Sequence, residues 1–279
     1  MPKASRIIAT IMGCGSSGGV PRVGGAWGVC DPADPRNRRR RCSLLIEGYS
    51  EDADEPTRII IDTGCDIREQ LLDTNVDRVD AVLYTHEHAD HTHGIDDLRV
   101  LALNTRKRVD VYFSEAAAAR IVPSFEYCFS TPPGSGYPPI LTQHIIAAGE
   151  ELVVDGPGGT ITVLPFRQEH GEIDSLGFRI GGFAYSCDLS GIPPESRQAV
   201  SDLDVWILDA LRPTPHPSHL SLPESLALID DLKPRAAVLT NLHIDLDYAQ
   251  TDATTPDHVR PAYDGLQIDV SAGTVTGPR

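Results

Sequence analysis

The ten residues THEHADHTHG, at positions 85–94, hold four histidines, one glutamate and one aspartate. His86, His88, His91 and His93 fall within eight positions of a 279-residue chain that has ten histidines in all, so composition accounts for well under one of them. The apolar run DAVLYTH, 80–86, leads into this segment and a helical pattern follows Gly94, which places the cluster on a loop at the carboxyl end of a strand. Residues two apart leave a strand on the same side. His86 and His88 can therefore grip one cation, while Asp90 and His91, in the turn that follows, can face a second beside it. Imidazole with carboxylate and no thiolate suits an open catalytic site for a borderline divalent metal more than a closed structural one.

The surrounding pattern sets the architecture such a loop can sit on. Strand signals occur at 6–12, 43–48, 57–64, 80–86, 109–114, 160–166, 177–180, 183–188, 205–210 and 236–242. Helical patterns lie at DIREQLLD with Asp66 as N-cap, IDDLRVLALN after Gly94, EAAAARIV at 115–122 and LPESLALIDDL at 222–232. Strands outnumber helices and several come in adjacent pairs, which predicts an α/β (α+β) fold of two packed sheets flanked by helices rather than a doubly wound parallel sheet. The whole of 1–279 reads as one domain. Its Pro-, Gly- and aromatic-rich stretch PSFEYCFSTPPGSGYPPI reads as a long ordered loop, a lid over 123–144.

GCGSSG, 13–18, follows a strand and matches the dinucleotide-binding G-x-G-x-x-G, whose chemistry needs a helix to open at the motif. The next residues, GVPRVGGAWG, add a proline and more glycines and will not propagate a helix. A flexible or anion-cradling loop is the better reading.

Charge narrows the partners. The chain has 24 Lys and Arg against 40 Asp and Glu, a formal net charge of −16, which opposes a large nucleic acid held through its phosphates. A small phosphorylated substrate held by metals is compatible with it. No apolar run is long enough to span a membrane, and the N-terminal apolar stretch is too short for a signal peptide, so no membrane partner and a cytoplasmic location are expected. Six scattered cysteines without C-x-x-C spacing read as thiols in a reducing compartment.

H-x-H-x-D-H after an apolar strand resembles the signature of the metallo-β-lactamase fold superfamily, and the resemblance runs along nearly the whole chain. IIIDTG resembles the motif that supplies a supporting aspartate, Asp62. PFRQEHG supplies His170, YSCDLSG supplies Asp188 and LTNLH supplies His243. GCGSSGGVPRVGG, NRRRRCS and the segment from His216 to Tyr248 are most similar to the phosphodiesterase branch, that of the phosphoribosyl 1,2-cyclic phosphate phosphodiesterases and the tRNA 3′-processing endonucleases. The resemblance implies a four-layer αββα sandwich and two divalent ions, zinc in the first place with manganese as the alternative. It implies that His86, His88 and His170 bind one ion and Asp90, His91 and His243 the other, with Asp188 bridging. Relatives often carry histidine directly after LT, where this chain has Asn241, so His243 stands in two residues on, on the same strand face. Relatives in the phosphonate branch also hold a separate structural zinc on a cysteine-rich loop, for which this chain offers only Cys30.

The activity implied is phosphodiester hydrolysis of a small cyclic or nucleotide-like substrate by a hydroxide bridging the two ions. Asp90 and His219 would be its catalytic residues, His219 binding phosphate and protonating the leaving group. The alternatives are a lactone, thioester or β-lactam hydrolase on the same site, a tRNA 3′-processing type endonuclease, and a nucleotide-binding or metal-sensing module without turnover. One or two of the arginines 38–41 are expected to face the site. Phe125, Tyr127, Phe129 and Tyr137 either stack on a nucleobase or anchor their loop. His144, His216 and His258 read as structural, and His93 as a support for the ligands. The chain could act as a homodimer.

Overall fold

Each long apolar run divides its side chains between two cores. Leu44 and Ile46, Ile59 and Ile61, and Ala81 and Leu83 face one core, while Leu45, Ile60 and Val82 face another. Val205, Ile207 and Val238 share the first core, and Trp206, Leu208, Ala237 and Leu239 belong to a third. That is the two-residue period of strands buried on both faces. Three cores separate four layers, so the αββα arrangement expected from the sequence is the one observed. The computed structural model describes residues 2–277.

Among these residues, an eight-stranded sheet runs in the order Thr274–Thr276, Gln267–Asp269, Arg6–Gly13, Ser43–Tyr49, Thr57–Ile61, Ala81–Leu83, Val109–Phe113, Leu141–Ile145. A seven-stranded sheet packs against it in the order Val259–Pro261, Ala236–Thr240, Val205–Asp209, Phe183–Ser186, Ile173–Ile180, Ile161–His170, Leu152–Val154. In each sheet antiparallel hairpins give way to parallel pairs, such as Ile60 beside Val82 and Ile207 beside Val238. Parallel pairs need crossovers. Ile67–Asp73, Leu98–Thr105 and Glu115–Ser124 cover the outer face of the first sheet, and Leu222–Leu232 that of the second.

Trp206 is buried completely and donates its indole N–H to Ser186 Oγ at 2.9 Å, so its one polar group is satisfied. The helix after it starts at a capping box, where the Ser221 N–H donates to Glu224 Oε2 at 2.8 Å. Asp66 does stand at the start of its helix, but its carboxylate caps nothing there; it accepts from the Arg41 backbone and guanidinium at 2.9 Å instead.

Several elements differ from the sequence reading. The stretch 123–144 is not one loop. The helix from Glu115 continues through Pro123 to Ser124, a short helix covers Glu126–Phe129, and Leu141–Ile145 is an edge strand. The strand that starts at Ile161 runs on to His170. Short strands after residue 258 and the helix Tyr248–Thr254 carried too little apolar periodicity to be seen. GCGSSG opens no helix; Gly15 instead bridges Arg41 and Leu242.

Candidate active site

Both sheets deliver strand ends to one edge of the sandwich. Asp62 follows Thr57–Ile61, His86 lies just past Ala81–Leu83, His170 ends its strand, Asp188 follows Phe183–Ser186, and Asn241 follows Ala236–Thr240. Asp62, Asp188 and Asn241 have φ values of 63°, 53° and 61°, in the left-handed region that Asp and Asn tolerate best among residues with a Cβ. Each turn redirects the chain as it leaves the sheet.

The loop 86–94 is clamped to the loop after Asp62. Thr63 N–H donates to His91 O at 2.7 Å, and Gly94 N–H to Thr63 O at 2.8 Å. The approach leaves no room for side chains. A Cβ on Gly64 would lie 2.0 Å from Asp90 O, and one on Gly94 would lie 2.2 Å from Gly64 O.

A chain of hydrogen bonds aims the imidazoles. Asp62, fully buried, accepts from Thr85 N–H at 2.8 Å, from the Thr85 hydroxyl at 2.7 Å and from His91 Nδ1 at 2.8 Å. With its proton given to Asp62, Thr85 Oγ1 accepts from His86 Nδ1 at 2.9 Å. His170 Nδ1 donates to Ser218 O at 2.7 Å. All three Nδ1–H groups are thus committed, so Nε2 of His86 and His170 is left with a lone pair and Nε2 of His91 is the nitrogen turned toward Asp188. Asp62→Asn, which replaces an acceptor with an amide N–H on one side, is expected to weaken metal binding about 10–100-fold. Competition against a chromogenic chelator measures it.

Those lone pairs converge. His88 Nδ1 lies 2.9 Å from His86 Nε2 and 3.3 Å from His170 Nε2. One ring proton can serve only one of these contacts, whereas a cation among the three nitrogens serves all of them. Asp188 Oδ2 lies 3.8 Å from His86 Nε2, 3.7 Å from His170 Nε2 and 3.4 Å from His91 Nε2. It stands between that trio and a second group in which Asp90 Oδ2 is 3.5 Å from His91 Nε2. His86, His88, His170 and Asp188 form a set whose donor atoms all lie within 4.8 Å of one another. The donor set is nitrogen and oxygen at the spacing a divalent cation requires, so these residues fit the metal that the resemblance implies.

Electrostatics divides the imidazoles. Burial, and then the neighbouring His91, push the pKa of His86 well below the usual imidazole value. Burial opposes charge on His91 as well, but the carboxylates of Asp188 and Asp62 outweigh it and hold its pKa well above that value, so a cation at its Nε2 would displace a proton that the same carboxylates hold there. Burial also pushes the Cys187 thiol up, helped by Cys42, so it stays protonated and donates to Asp188 Oδ1 at 3.0 Å.

His219 stands beside the cluster, with Nε2 3.9 Å from Asp188 Oδ2 and Nδ1 donating to Asp209 Oδ2 at 2.9 Å. Burial raises the Asp209 pKa to about 6 against the pull of His219. For His219, burial is outweighed by the Asp209 hydrogen bond, and its pKa rises. The pair therefore holds a proton on the imidazole, and Nε2–H faces the cleft. Asp209 was not singled out in the sequence; its one signal is a carboxylate closing the otherwise apolar strand Val205–Asp209.

His243 is not brought to the cluster. The strand stops at Thr240 and Asn241 turns the chain, so the two-residue period fails at the step that would have aimed His243. Asn241 takes the place beside the aspartate, donating Nδ2–H to Asp188 Oδ1 at 3.0 Å. His243 Nε2 accepts from Arg22, and its Nδ1 lies 2.8 Å from Asp245 Oδ2. Nor do the arginines 38–41 line the cleft. Arg39 is buried and donates to Leu246 O, Arg40 pairs with Asp264 and Asp73, and Arg41 with Asp66, while Arg38 is exposed elsewhere. The cleft of about 230 Å³ is lined instead by Ser16, Arg22, Asp90, Arg212, His216 and His219, among others. Of the aromatics, Phe125 packs edge-on against His93, Phe129 against Phe113, and Tyr127 under Arg99, so these three anchor the helices; Tyr137 is exposed.

Residues 57–244 match the model of a beta-lactamase superfamily domain. An octanoyltransferase of Porphyromonas gingivalis is 32% identical over 260 residues, 92% of this chain and 50% of that protein. A ribonuclease Z of Bradyrhizobium diazoefficiens is 32% identical over 146 residues, 52% of this chain and 45% of that protein. The chain thus spans about half the length of the curated relatives it matches. Among solved structures, a diphosphatase from the PhnP family superposes with a TM-score of 0.83 at 32% identity, over 95% of this chain and 97% of the other.

Proposed function

This chain belongs to the beta-lactamase superfamily and, within it, to the PhnP family; from that premise we propose that it is a dinuclear metal-dependent phosphodiesterase acting on a small phosphorylated substrate. The observation that carries the reading is the convergence of His86, His88, His170, Asp90 and His91 around Asp188, with the Asp209–His219 pair at its side. His86, His88 and His170 would hold one cation, Asp90 and His91 the other, and Asp188 both. Two divalent cations about 3.5–4 Å apart polarise phosphoryl oxygens and make water an effective nucleophile near neutral pH.

The protein's own groups supply the rest. Asp62 and Ser218 fix which ring nitrogens point inward. Asp209 holds His219 with Nε2–H directed into the cleft, where it can give its proton to the departing oxygen as the ester bond breaks. The deprotonated imidazole is then recharged from solvent. The cationic lining of Arg22 and Arg212 favours an anionic substrate over a neutral lactone. The formal net charge of −16 works against a long RNA as partner. No helix among the described residues is long and apolar enough to cross a membrane.

Protein reconstituted with Zn2+ or Mn2+ is expected to hydrolyse bis-p-nitrophenyl phosphate and to lose that activity on chelation. A panel of cyclic ribose phosphates, 2′,3′-cyclic nucleotides, precursor tRNA and lactones then ranks substrates. Turnover confined to lactones, or to tRNA, would overturn the proposal.

A further inference from the structure

We propose that two copies of this chain pair edge to edge through Leu141–Ile145, antiparallel about a two-fold axis at Gln143, so that their eight-stranded sheets join into one. The partner is a second copy of the chain itself, and the inference stands independently of the reading of the active site.

The first observation is the state of the four sheet edges. An edge strand offers unpaired backbone groups to any strand that meets it, and folded chains blunt it with shortness, charge or proline. Three of the edges are blunted. Thr274–Thr276, Val259–Pro261 and Leu152–Val154 have three residues each; the second contains Arg260 and Pro261, and the third is flanked by Glu151 and Asp155. Leu141–Ile145 is five residues long and has neither charge nor proline. It runs parallel to Val109–Phe113, with Ile140 O accepting from Val109 N–H at 2.9 Å and Ile146 N–H donating to Phe113 O at 3.1 Å. The even-numbered residues thus spend their backbone groups within the sheet, and Leu141, Gln143 and Ile145 turn theirs outward. Among the described residues no strand, loop or side chain caps them.

The second observation is independent and concerns charge. In a chain with 23% charged residues and a formal net charge of −16, the run 127–149 has no Asp, Glu, Lys or Arg. Within that run Tyr137 is 78% exposed and Ile145 56%. Two such chains repel wherever their acids face each other, so an uncharged edge is where they approach at least cost. A strongly charged partner would find no counter-charge there.

The edge is also complementary to itself, as a two-fold contact requires. Pairing centred on Gln143 sets that residue opposite its own copy and Leu141 opposite Ile145 on both sides of the axis. Each of these pairs exchanges two backbone hydrogen bonds. Leu141 and Ile145 lie on the sheet face of Val111 and Phe113, so the exposed Ile145 would carry the apolar layer beneath the helices across the axis. On the other face His144 is already stacked on Tyr112 and bonded to Asp110, and the pairing leaves those contacts in place.

Analytical ultracentrifugation of the full chain over about 1–500 μM reads the association, since one short strand pair makes a small and therefore weak interface. A monomer–dimer equilibrium is expected that tightens as salt is raised, because salt screens the repulsion between acidic chains. I145D is expected to weaken it about tenfold or more, with the fold unchanged by circular dichroism. Cross-linking reads the register. With the exposed Cys65 replaced by serine, Q143C is expected to form an intermolecular disulfide under a mild oxidant, because the paired Cα atoms would lie about 5.5 Å apart. I145C is expected to form none, since its two copies would be about 13 Å apart along the strands. A chain that stays monomeric at the highest concentration would overturn the proposal. So would a dimer that salt weakens or that I145D leaves intact, and so would cross-linking at 145 or its absence at 143.

Discussion

Asp188→Asn is expected to lower bound metal from two ions per chain to one or none and to cut phosphodiester turnover by about a thousandfold or more. Among the described residues, Asp188 Oδ2 is the one oxygen within 3.4 to 3.8 Å of imidazoles from both groups of donors. The amide keeps the size of the side chain but loses the charge. Losing several kcal/mol of transition-state stabilisation is a loss of about 10³ or more in rate. The change also removes the acceptor of the Asn241 amide and the Cys187 thiol if the new amide nitrogen turns toward them. Metal content by elemental analysis, taken with turnover on the same sample, measures it. A variant that keeps two ions and near-normal turnover would show that the aspartate is not shared.

His219→Ala is expected to reduce kcat about 10²–10⁴-fold while metal content stays at the wild-type level. The imidazole lies 3.9 Å from Asp188 and offers its Nε2–H to the cleft, but it belongs to neither group of converging donors. If its task is to protonate a departing oxygen, the loss must depend on that oxygen. A p-nitrophenolate leaves readily without a proton, whereas an alkoxide does not, so the variant should lose much more activity on a ribose ester than on a nitrophenyl ester. A uniform loss on both would assign His219 to binding. The residual Asp209 carboxyl, with its pKa raised to about 6 by burial, would lose its charged partner, so thermal stability should be compared before rates are interpreted.

The part of the site that sequence made legible is the part in which spacing alone does the aiming. Positions 86 to 91 lie in one loop, and their order of imidazole and carboxylate states its own purpose. The two packed sheets were legible for a related reason, because short apolar runs outnumber the helical patterns and several of them come in adjacent pairs, whereas the four-layer order came from the family resemblance. What escaped depends on turns. One left-handed residue, Asn241, ends a strand and swings His243 to Arg22. Asp209 acts only through its contact with His219, ten residues on, and no local pattern marks that pairing. The arginine run at 38–41 drew the eye by its density, yet Arg39, Arg40 and Arg41 are spent on buried carbonyls, Asp264, Asp73 and Asp66, and the cleft is lined by two isolated arginines 190 residues apart, Arg22 and Arg212.

The seam between the two sheets runs through the middle of the donor set: His86, His88, Asp90 and His91 come from one side, His170 and Asp188 from the other. Cations seated there would act as rivets across halves that otherwise adhere through oily side chains. Catalytic competence is thus hostage to how snugly the slabs nest. A careless trim at Phe178 or Ile207, deep within that filling and outside the donor set, would loosen the grip on any cation seated there.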